Sequence, residues 1–457
     1  MYGRQISRRE FLRSGFGLGS LALAGLTANQ VTANTDGGNP LRYQPSHSES
    51  KAKRVIMLYM EGGPSQIDMM DYKPELEKLA GKTIGLREDK YQFQGALMPS
   101  KWKFNPSLKT GLQFSELLPN LSLISDELCL LNGMHTDSTS HTPATLMLHT
   151  GAFNVVRPSV GSWVVYGLGT ENENLPAFIT INPVDHLGGT QNYSSAFLPA
   201  SYQGTRLGVQ DDVMPNLNGL NNTRQRSYLD LLEADNREYL SRHKANPEIE
   251  AMIQSFELAF RMQSALPRVM ELGNEPTHIK EMYGITGTDR NKFANQCLTA
   301  RRLAEAGVRF IQLTKRGWDN HTDLPKSLPD RCRDIDQPIA GLILDLKQRG
   351  MLDETLVVWG GEFGRSSAEQ NSGAGRRHQS LGYTMFLAGG GVKGGIKHGA
   401  TDETGSRAVL GKVHIHDLHA TILHLMGIDH EALTYRYAGR DFRLTDVYGN
   451  VVHEILA

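Results

Sequence analysis

Short apolar runs alternate with longer amphipathic segments along most of this chain. Val308–Leu313 and Thr355–Trp359 have the length and composition of buried strands. Between them, apolar residues recur at helical spacing from about Leu328 to Arg349, and Gly350 follows as a terminator. A strand, a helix and a second strand in this order predict a right-handed crossover, in which both strands are parallel and end at the same edge of a sheet.

The same pattern extends over the rest of the sequence. Further strands are predicted at Val55–Met60, Ala177–Ile181 and Thr384–Ala388. We therefore predict an α/β fold with a mostly parallel central sheet and helices on both faces. The domain is expected to span residues 54–457 after a linker at 34–53. A loop-rich and helical insertion at about 182–291 is expected to cover the edge where the strands end.

Acidic residues and histidines follow the ends of the predicted strands. Asp319 and His321 follow the first strand of the crossover, Glu362 and then His378 follow the second, and Glu61 ends the first strand of the domain. Parallel strands bring such residues together, and carboxylates and imidazoles are ligands for Zn, Mn, Mg or Ca. The sequence therefore predicts a divalent metal site formed by these five residues. The alternative is that Asp319 and Glu61 only cap helices and the histidines are ordinary loop residues.

Three further expectations concern the surroundings of these candidates. Asp68 and Asp71, near the helix start after Glu61, are expected to be capping or surface residues. The polar, glycine-rich segment 366–377 is expected to be a mobile loop. His416 and His419, close to the start of another predicted helix, are expected to be structural.

Composition excludes some classes of partner. The chain has 457 residues, with 48 Lys and Arg against 49 Asp and Glu, and a formal net charge of -1. This balance gives no electrostatic reason to expect nucleic acid or an anionic membrane as a partner. The three cysteines are scattered, so the sequence shows neither a disulfide framework nor a CxxC metal site.

The N-terminus has the features of an export signal. Ser7-Arg8-Arg9-Glu10-Phe11-Leu12 is a twin-arginine motif, and Gly15–Thr27 is a weakly apolar run with small residues at 31–33 after it. We predict a signal peptide at residues 1–33, with the twin-arginine translocase as a partner and a periplasmic or secreted product. No permanent membrane anchor is expected, although an uncleaved signal is the alternative. Export of an already folded chain fits a metal site filled before export.

Several separated motifs resemble known families. The loop GWDNH at 317–321 and the strand end TLVVWGGEFG at 355–364 are similar in order to the metal motifs of the alkaline-phosphatase-like superfamily. In that superfamily, Asp stands at the position of Glu362 and His at that of Phe363. The resemblance is closer to an exported, sulfatase-like family known as domain of unknown function 1501. The residues that carry it are MEGGPSQIDMMDYKP at 60–74, GWDNH, GEFGR at 361–365, GGGVKGG at 389–395 and DLHATILHLMGID at 417–429.

The resemblance implies positions for catalytic residues. In phosphatases and sulfatases, the loop before a helix that ends in Thr-Gly holds the nucleophile, and here this places His141 near it, with Ser140 and Thr142 on either side. His141 and His135 are alternatively metal ligands or simple loop histidines. An arginine near the pocket of such a fold would bind an anionic oxygen, which makes Arg365 a candidate. The sequence contains no Cys-x-Pro-x-Arg motif, so a formylglycine nucleophile is not expected.

These implications favour a metal-dependent hydrolase. Its expected substrate is a small anionic ester, or a sulfated or phosphorylated polymer, whose ester oxygen a metal ion would polarise. The competing hypothesis is an exported binding protein that kept the fold but lost the chemistry, as Glu362, Phe363 and the missing serine nucleophile would allow.

Overall fold

The computed structural model describes residues 41–88, 91–208, 222–242, 247–285, 292–370 and 374–457. The predicted signal peptide at 1–33 lies outside the described residues, as does the first part of the predicted linker. Within the described ranges, no helix is both long enough and apolar enough to cross a membrane.

The described strands comprise one large sheet and several small hairpins. In chain order they are β1 (Arg54–Glu61), β2 (Thr83–Glu88), β3 (Tyr91–Ala96), β4 (Phe104–Pro106), β5 (Gln113–Ser115), β6 (Leu128–His135), β7 (Phe178–Ile181), β8 (Thr205–Leu207), β9 (Phe310–Arg316), β10 (Thr355–Gly360), β11 (Gly364–Gln370), β12 (Gly375–Gln379), β13 (Tyr383–Ala388), β14 (Ile396–His398), β15 (Ala400–Thr401), β16 (Ala408–Leu410), β17 (Val413–His414), β18 (Tyr435–Tyr437) and β19 (Arg440–Phe442).

The described helices lie between these strands. They are α1 (Gln66–Met69), α2 (Pro74–Lys78), α3 (Pro119–Leu123), α4 (His141–Thr150), α5 (Val160–Leu168), α6 (Asn222–Arg242), α7 (Pro247–Met270), α8 (Thr277–Met282), α9 (Lys292–Glu305), α10 (Leu324–Gln348) and α11 (Ile415–Leu425).

The large sheet confirms the predicted fold class. Its strand order is β14-β6-β13-β10-β1-β9-β7-β8, with β17 also beside β6. Neighbouring strands pair in parallel except at β13, which runs antiparallel to β10 and β6. β1 lies between β9 and β10, and its register sets Glu61 opposite Arg316 and Tyr59 opposite Gly360. The carboxyl ends of these three central strands are therefore level at one edge.

Alternate residues of β1 show why its sequence is a continuous apolar run. Ile56, Leu58 and Met60 belong to a core cluster that includes residues of α9 and α10. Val55, Met57 and Tyr59 belong to a second cluster, which includes residues of α4, α5 and α11. A strand covered by helices on both faces has no polar face, because both sets of side chains are withdrawn from water. Helices thus cover both faces of the sheet, as predicted.

The crossover from β9 to β10 runs through α10. Its predicted apolar positions are buried, including Ile335, Ile339 and Leu342. Gly350 follows the helix with a φ of +66°, a conformation that glycine adopts without the steric cost of a side chain. The predicted terminator therefore ends this helix.

Two peripheral segments pack on the body of the protein. In residues 41–53, the backbone N–H groups of Lys51 and Ala52 both donate to the carbonyl of Leu425 in α11 at 2.8 Å. Within the predicted insertion, Nε2 of His186 lies 3.5 Å from the Glu61 carboxylate at the end of β1. The end of α7 packs on α9, because Arg302 of α9 donates to the carbonyls of Arg268 and Val269 at 2.8 and 2.6 Å.

Candidate functional site

The candidate site lies at the carboxyl edge of the central strands. The loop after β9 carries Asp319 and His321, and the loop after β10 carries Glu362. His141 is the first residue of α4, and His378 lies on β12. β12 pairs with β11 in a hairpin that directly follows the Glu362 loop. Residues from four separate parts of the chain thus meet at one edge, as expected for an α/β sheet.

Four side chains converge closely enough to hold a metal ion. One ligand atom from each of His141, Asp319, His321 and His378 lies within 4.8 Å of the others. The Oδ1 atom of Asp319 is 3.2 Å from Nε2 of His141, 3.0 Å from Nε2 of His321 and 3.4 Å from Nε2 of His378. The Nε2 atoms of His321 and His378 are 2.7 Å apart.

Each of the three imidazoles is held at its other ring nitrogen. Nδ1 of His141 is 2.6 Å from Oε1 of Glu362. Nδ1 of His321 is 2.7 Å from Oε1 of Gln370, and Nδ1 of His378 is 2.6 Å from the carbonyl oxygen of Thr139. An oxygen acceptor at Nδ1 requires a proton there, so the neutral rings direct the Nε2 lone pair toward Asp319. Metal-bound histidines are oriented by the same kind of outer hydrogen bond.

This donor set fits a divalent transition metal. Two Nε2 lone pairs that face each other at 2.7 Å repel unless a proton or a metal ion lies between them. Three imidazoles and one carboxylate suit Zn²⁺ and similar ions, whereas Mg²⁺ and Ca²⁺ prefer oxygen ligands. Asp319, His321, His378 and His141 would therefore hold the ion.

Protonation in the metal-free cluster follows from its charges. Burial lowers the pKa of His141, but hydrogen bonds to Asp319 and Glu362 outweigh this effect and raise it to about 9. Burial raises the pKa of Asp319, yet hydrogen bonds from the three histidines and the charge of Arg365 hold it well below its usual range. Burial also lowers the pKa of His378. The cluster stabilises an Asp319 carboxylate with positive charge around it.

Arg365 ties the loops of the site together. Its guanidinium is fully buried and donates to the carbonyls of Gly62, Gly63 at 2.9 Å and Trp318 at 3.2 Å. The same group donates to Oδ1 of Asp319 at 2.6 Å. Arg365 thus contacts the loops after β1 and β9, and these contacts fit positioning of Asp319 better than binding of a substrate anion.

Glu61 and Glu362 lie outside the group of four. Glu362 is fully buried, and its Oε1 atom contacts Nδ1 of His141. The other nitrogen of that ring, Nε2, faces Asp319. One oxygen of the Glu61 carboxylate accepts a hydrogen bond from the N–H of Gly317 at 3.3 Å, and the other lies 3.5 Å from Nε2 of His186. Burial, and then the charge of Glu362, raises the pKa of Glu61. Neither glutamate belongs to the four-residue group, and the contact of Glu362 with that group is made at Nδ1 of His141 instead of at the converging ligand atoms.

The hydroxyl candidates flank His141. Ser140 precedes α4 and Thr142 is its second residue, and both are exposed. His135 ends β6, and its ring lies 5.2 Å from that of His414. His416 and His419 contact carbonyls of the last turn of α4 and of Gly151, which agrees with a structural role.

Two expectations about the surroundings are wrong. Asp68 and Asp71 are buried, and Asp68 receives two hydrogen bonds from Arg376 at 2.7 and 3.0 Å. Residues 364–379 form the β11–β12 hairpin instead of a mobile loop, apart from 371–373, which lie outside the described residues. The polar residues of this segment bond to each other and to the body, so their polarity did not indicate contact with water.

Sequence reasoning missed the partners that orient the ligands. Gln370 and the Thr139 carbonyl carry no local pattern that distinguishes them from ordinary polar groups. The sequence does indicate His141, because this residue begins a helix that follows a strand ending at the same edge of the sheet.

Three solved structures are distantly similar to this chain. A sulfatase from Pseudoalteromonas sp., PsFucS1, is 15% identical, with 96% of this chain and 76% of that chain covered and a TM-score of 0.38. An alkaline phosphatase superfamily protein from Vibrio parahaemolyticus is 10% identical, with coverage of 91% and 76% and a TM-score of 0.37. Alkaline phosphatase from the Antarctic bacterium TAB5 is 11% identical, with coverage of 82% and 99% and a TM-score of 0.33. At these values the similarities carry no argument about activity.

Family comparison gives a clear assignment. No curated protein matches the sequence. The model of DUF1501, described as a protein of unknown function, matches residues 52–456. The match extends over the strands, helices and loops that form the site, and the chain belongs to the DUF1501 family.

Proposed function

We propose that this chain is an exported, metal-dependent hydrolase of phosphate or sulfate esters that acts without a formylglycine nucleophile. The observation that carries the proposal is the convergence of three oriented imidazoles and one carboxylate within 4.8 Å. A divalent ion held there would polarise an ester oxygen and stabilise a developing negative charge. Zn²⁺ suits this donor set best among the ions considered.

The residues of the chain have distinct parts in this proposal. His141, Asp319, His321 and His378 hold the ion, and Arg365 fixes the carboxylate that all three histidines face. Because both ring nitrogens of His141 are engaged, a ligand role fits it better than a nucleophilic one. The exposed hydroxyls of Ser140 and Thr142 stay candidates for contact with substrate.

Metal analysis and a substrate screen test the proposal together. The purified protein is analysed for bound metals and then assayed with aryl phosphates and aryl sulfates. Asp319→Ala is the test variant, and Asp441→Ala, an exposed carboxylate paired with Arg436 at 3.1 Å, is the matched control. Bound metal and turnover that only Asp319→Ala abolishes support the hydrolase, whereas a protein without metal contradicts it.

A second function has its own supporting observation. Phe363 packs against the rings of His141 and His378, with centroids 4.8 and 4.6 Å away, at the position where the superfamily it resembles has a histidine. An apolar ring there removes a potential ligand, which suits a protein that binds metal without catalysis. Stoichiometric metal without turnover on any ester would favour this function.

Export is the part of the proposal that concerns residues 1–33. The twin-arginine motif at Arg8 and Arg9 supports passage through the twin-arginine translocase to the periplasm or the medium. Replacement of both arginines by lysine is expected to retain the protein in the cytoplasm. Carbonate extraction of membranes separates a cleaved product from one that keeps its signal as an anchor.

A further inference from the structure

A buried carboxylate and a buried tyrosine lie directly behind His141. Glu362 is fully buried, with a relative accessibility of 0%. Its Oε1 atom lies 2.6 Å from Nδ1 of His141 and 3.1 Å from the backbone nitrogen of Gly62. Its Oε2 atom accepts from Gly62 at 3.2 Å and from the hydroxyl of Tyr59 at 3.1 Å.

Three donors surround the carboxylate of Glu362. They are Nδ1 of His141, the hydroxyl of Tyr59 and the single backbone N–H of Gly62, which lies within hydrogen-bond distance of both oxygens. The contact with His141 is made at Nδ1, whereas Asp319 and the other ligand candidates face Nε2 of the same ring. Glu362 therefore lies on the far side of the His141 ring from the place where an ion would be held.

Tyr59 extends this contact to the next turn of α4. Its hydroxyl has one proton, which it donates to Glu362, so the hydroxyl of Thr145 donates to Tyr59 at 2.9 Å. Thr145 lies four residues after His141 and therefore on the same face of the helix. Tyr59 also packs edge-on against the ring of His149, with centroids 4.7 Å apart. One face of α4 is thus fixed to β1 and to the loop after β10.

The hydrogen-bond partner at Nδ1 of His141 is a carboxylate, that of Glu362. His321 contacts the amide of Gln370, and His378 contacts the carbonyl of Thr139. A carboxylate at Nδ1 raises the basicity of a histidine more than a neutral acceptor does, because it stabilises positive charge on the ring. His141 should therefore be the strongest nitrogen donor of the set.

We propose that Glu362 and Tyr59 form a positioning pair that keeps His141 in the tautomer with a proton on Nδ1, and that Glu362 is not a metal ligand. This positioning role rests on the proposed function, which supplies the metal ion that His141 would bind. It replaces the ligand role that the strand-end pattern predicts for Glu362.

Metal affinity and coordination test the pair in the purified protein. Co²⁺ affinity is measured by competition with a chelator, and the visible spectrum of the Co²⁺ form reports the number of ligands. Glu362→Gln keeps an acceptor oxygen but loses the charge, so we expect an affinity lower by about 10-fold to 100-fold, as is typical for an outer partner. The spectrum should keep the positions and intensities of the original protein.

Comparison variants make this result specific. Tyr59→Phe is expected to lower affinity less than Glu362→Gln, because it removes one of the three donors to the carboxylate and leaves its charge in place. Glu354→Gln, a half-exposed glutamate on the surface, should leave affinity unchanged. A Glu362→Gln spectrum altered in the manner of Asp319→Asn would show that Glu362 is a ligand and overturn the proposal. Unchanged affinity in Glu362→Gln would overturn it as well.

A metal-free measurement separates this inference from the proposed function. Long-range ¹H–¹⁵N spectra of ¹⁵N-histidine-labelled protein at pH 10, above the pKa of His141, identify the tautomer of the ring whose signals His141→Gln removes. We expect the Nδ1-protonated form in the original protein and a mixture in Glu362→Leu. If Co²⁺ does not bind, the hydrolase proposal fails while this spectrum still decides the positioning role. An Nε2-protonated His141 in the original protein would contradict it.

Discussion

At the scale of single residues, the site depends on one oxygen atom. Oδ1 of Asp319 lies within 3.4 Å of three histidine nitrogens and accepts a hydrogen bond from Arg365. The Arg365 guanidinium in turn satisfies backbone carbonyls of Gly62, Gly63 and Trp318. A change at Arg365 should therefore affect both the fold and the orientation of the carboxylate.

Arg365→Lys tests this dual role. A single ammonium group cannot reach all of the carbonyls that the planar guanidinium contacts, and unsatisfied buried carbonyls are costly. We expect the free energy of unfolding to fall by roughly 2–4 kcal/mol, measured by urea denaturation. Arg333→Lys, at an exposed position of α10, should change it by less than about 0.5 kcal/mol. Equal stability of both variants would show that these contacts contribute little.

Sequence patterns located the strand ends but not the directions of the side chains there. Asp319 and His321 were placed together with Glu362, since one crossover joins their loops. The pattern could not show that Glu362 faces Nδ1 of His141, because that contact spans 221 residues and depends on the packing of α4 on β1. Tertiary packing decides such contacts, and no local sequence signal reports it.

At the scale of elements, the β11–β12 hairpin brings His378 to the cluster. The sequence suggested a loop here because serines, glycines and charged residues dominate it. Buried pairs such as Arg376 with Asp68 hold the hairpin instead, and a single sequence does not show which charges will pair. The strands of the central sheet were predictable because an apolar run has few alternatives to burial.

Gly375 sets how closely the hairpin approaches the Asp319 loop. A Cβ atom at this position would lie 2.2 Å from the carbonyl carbon of His321, and the backbone cannot yield without moving the loop. Gly375→Ala is expected to weaken metal affinity and to destabilise the fold by about 1–3 kcal/mol through overpacking. Titration calorimetry and denaturation measure the two effects. Gly273→Ala, where a Cβ meets nothing within 4 Å, is the control and should bind metal normally.

Helices α4 and α11 share buried histidines that make stability depend on pH. Burial lowers the pKa of His149 and of His419 to about 3, whereas an unfolded histidine titrates near 6.5. The unfolded chain therefore binds more protons between about pH 3 and pH 6.5, and stability falls as the pH falls through this window. Between pH 7 and pH 5, each histidine should remove about 2 kcal/mol from the free energy of unfolding.

His149→Leu checks this dependence by urea denaturation at pH 7, 6 and 5. The variant should lose about 2 kcal/mol less than the original protein over this range, because one of the two buried groups no longer titrates. His278→Leu, at an exposed position, should retain the original slope. A slope that does not change in His149→Leu would contradict the assignment.

At the scale of the whole molecule, the ligands join parts of the chain that are far apart in sequence. His141, Asp319, His321 and His378 come from α4, the loop after β9 and the hairpin, so the unfolded chain presents no such site. A bound ion should therefore stabilise the fold as a whole. At an ion concentration of 100 times Kd, the gain is about 2.7 kcal/mol.

Thermal denaturation with and without chelator measures this gain. The midpoint should rise with added Zn²⁺ and fall after EDTA treatment, and Asp319→Asn should respond to neither. A metal-dependent shift that persists in Asp319→Asn would place the bound ion elsewhere on the protein.

The separateness of the β11–β12 hairpin has a kinetic consequence. Its two strands pair with each other and form a sheet of their own outside the central one, yet it carries His378 and the Gln370 amide that orients His321. Opening of this unit would have to break the buried hydrogen bonds of Arg365 and Arg376 to the body, so it should occur seldom. A bound ion should therefore leave slowly, at a rate set by the opening of the hairpin.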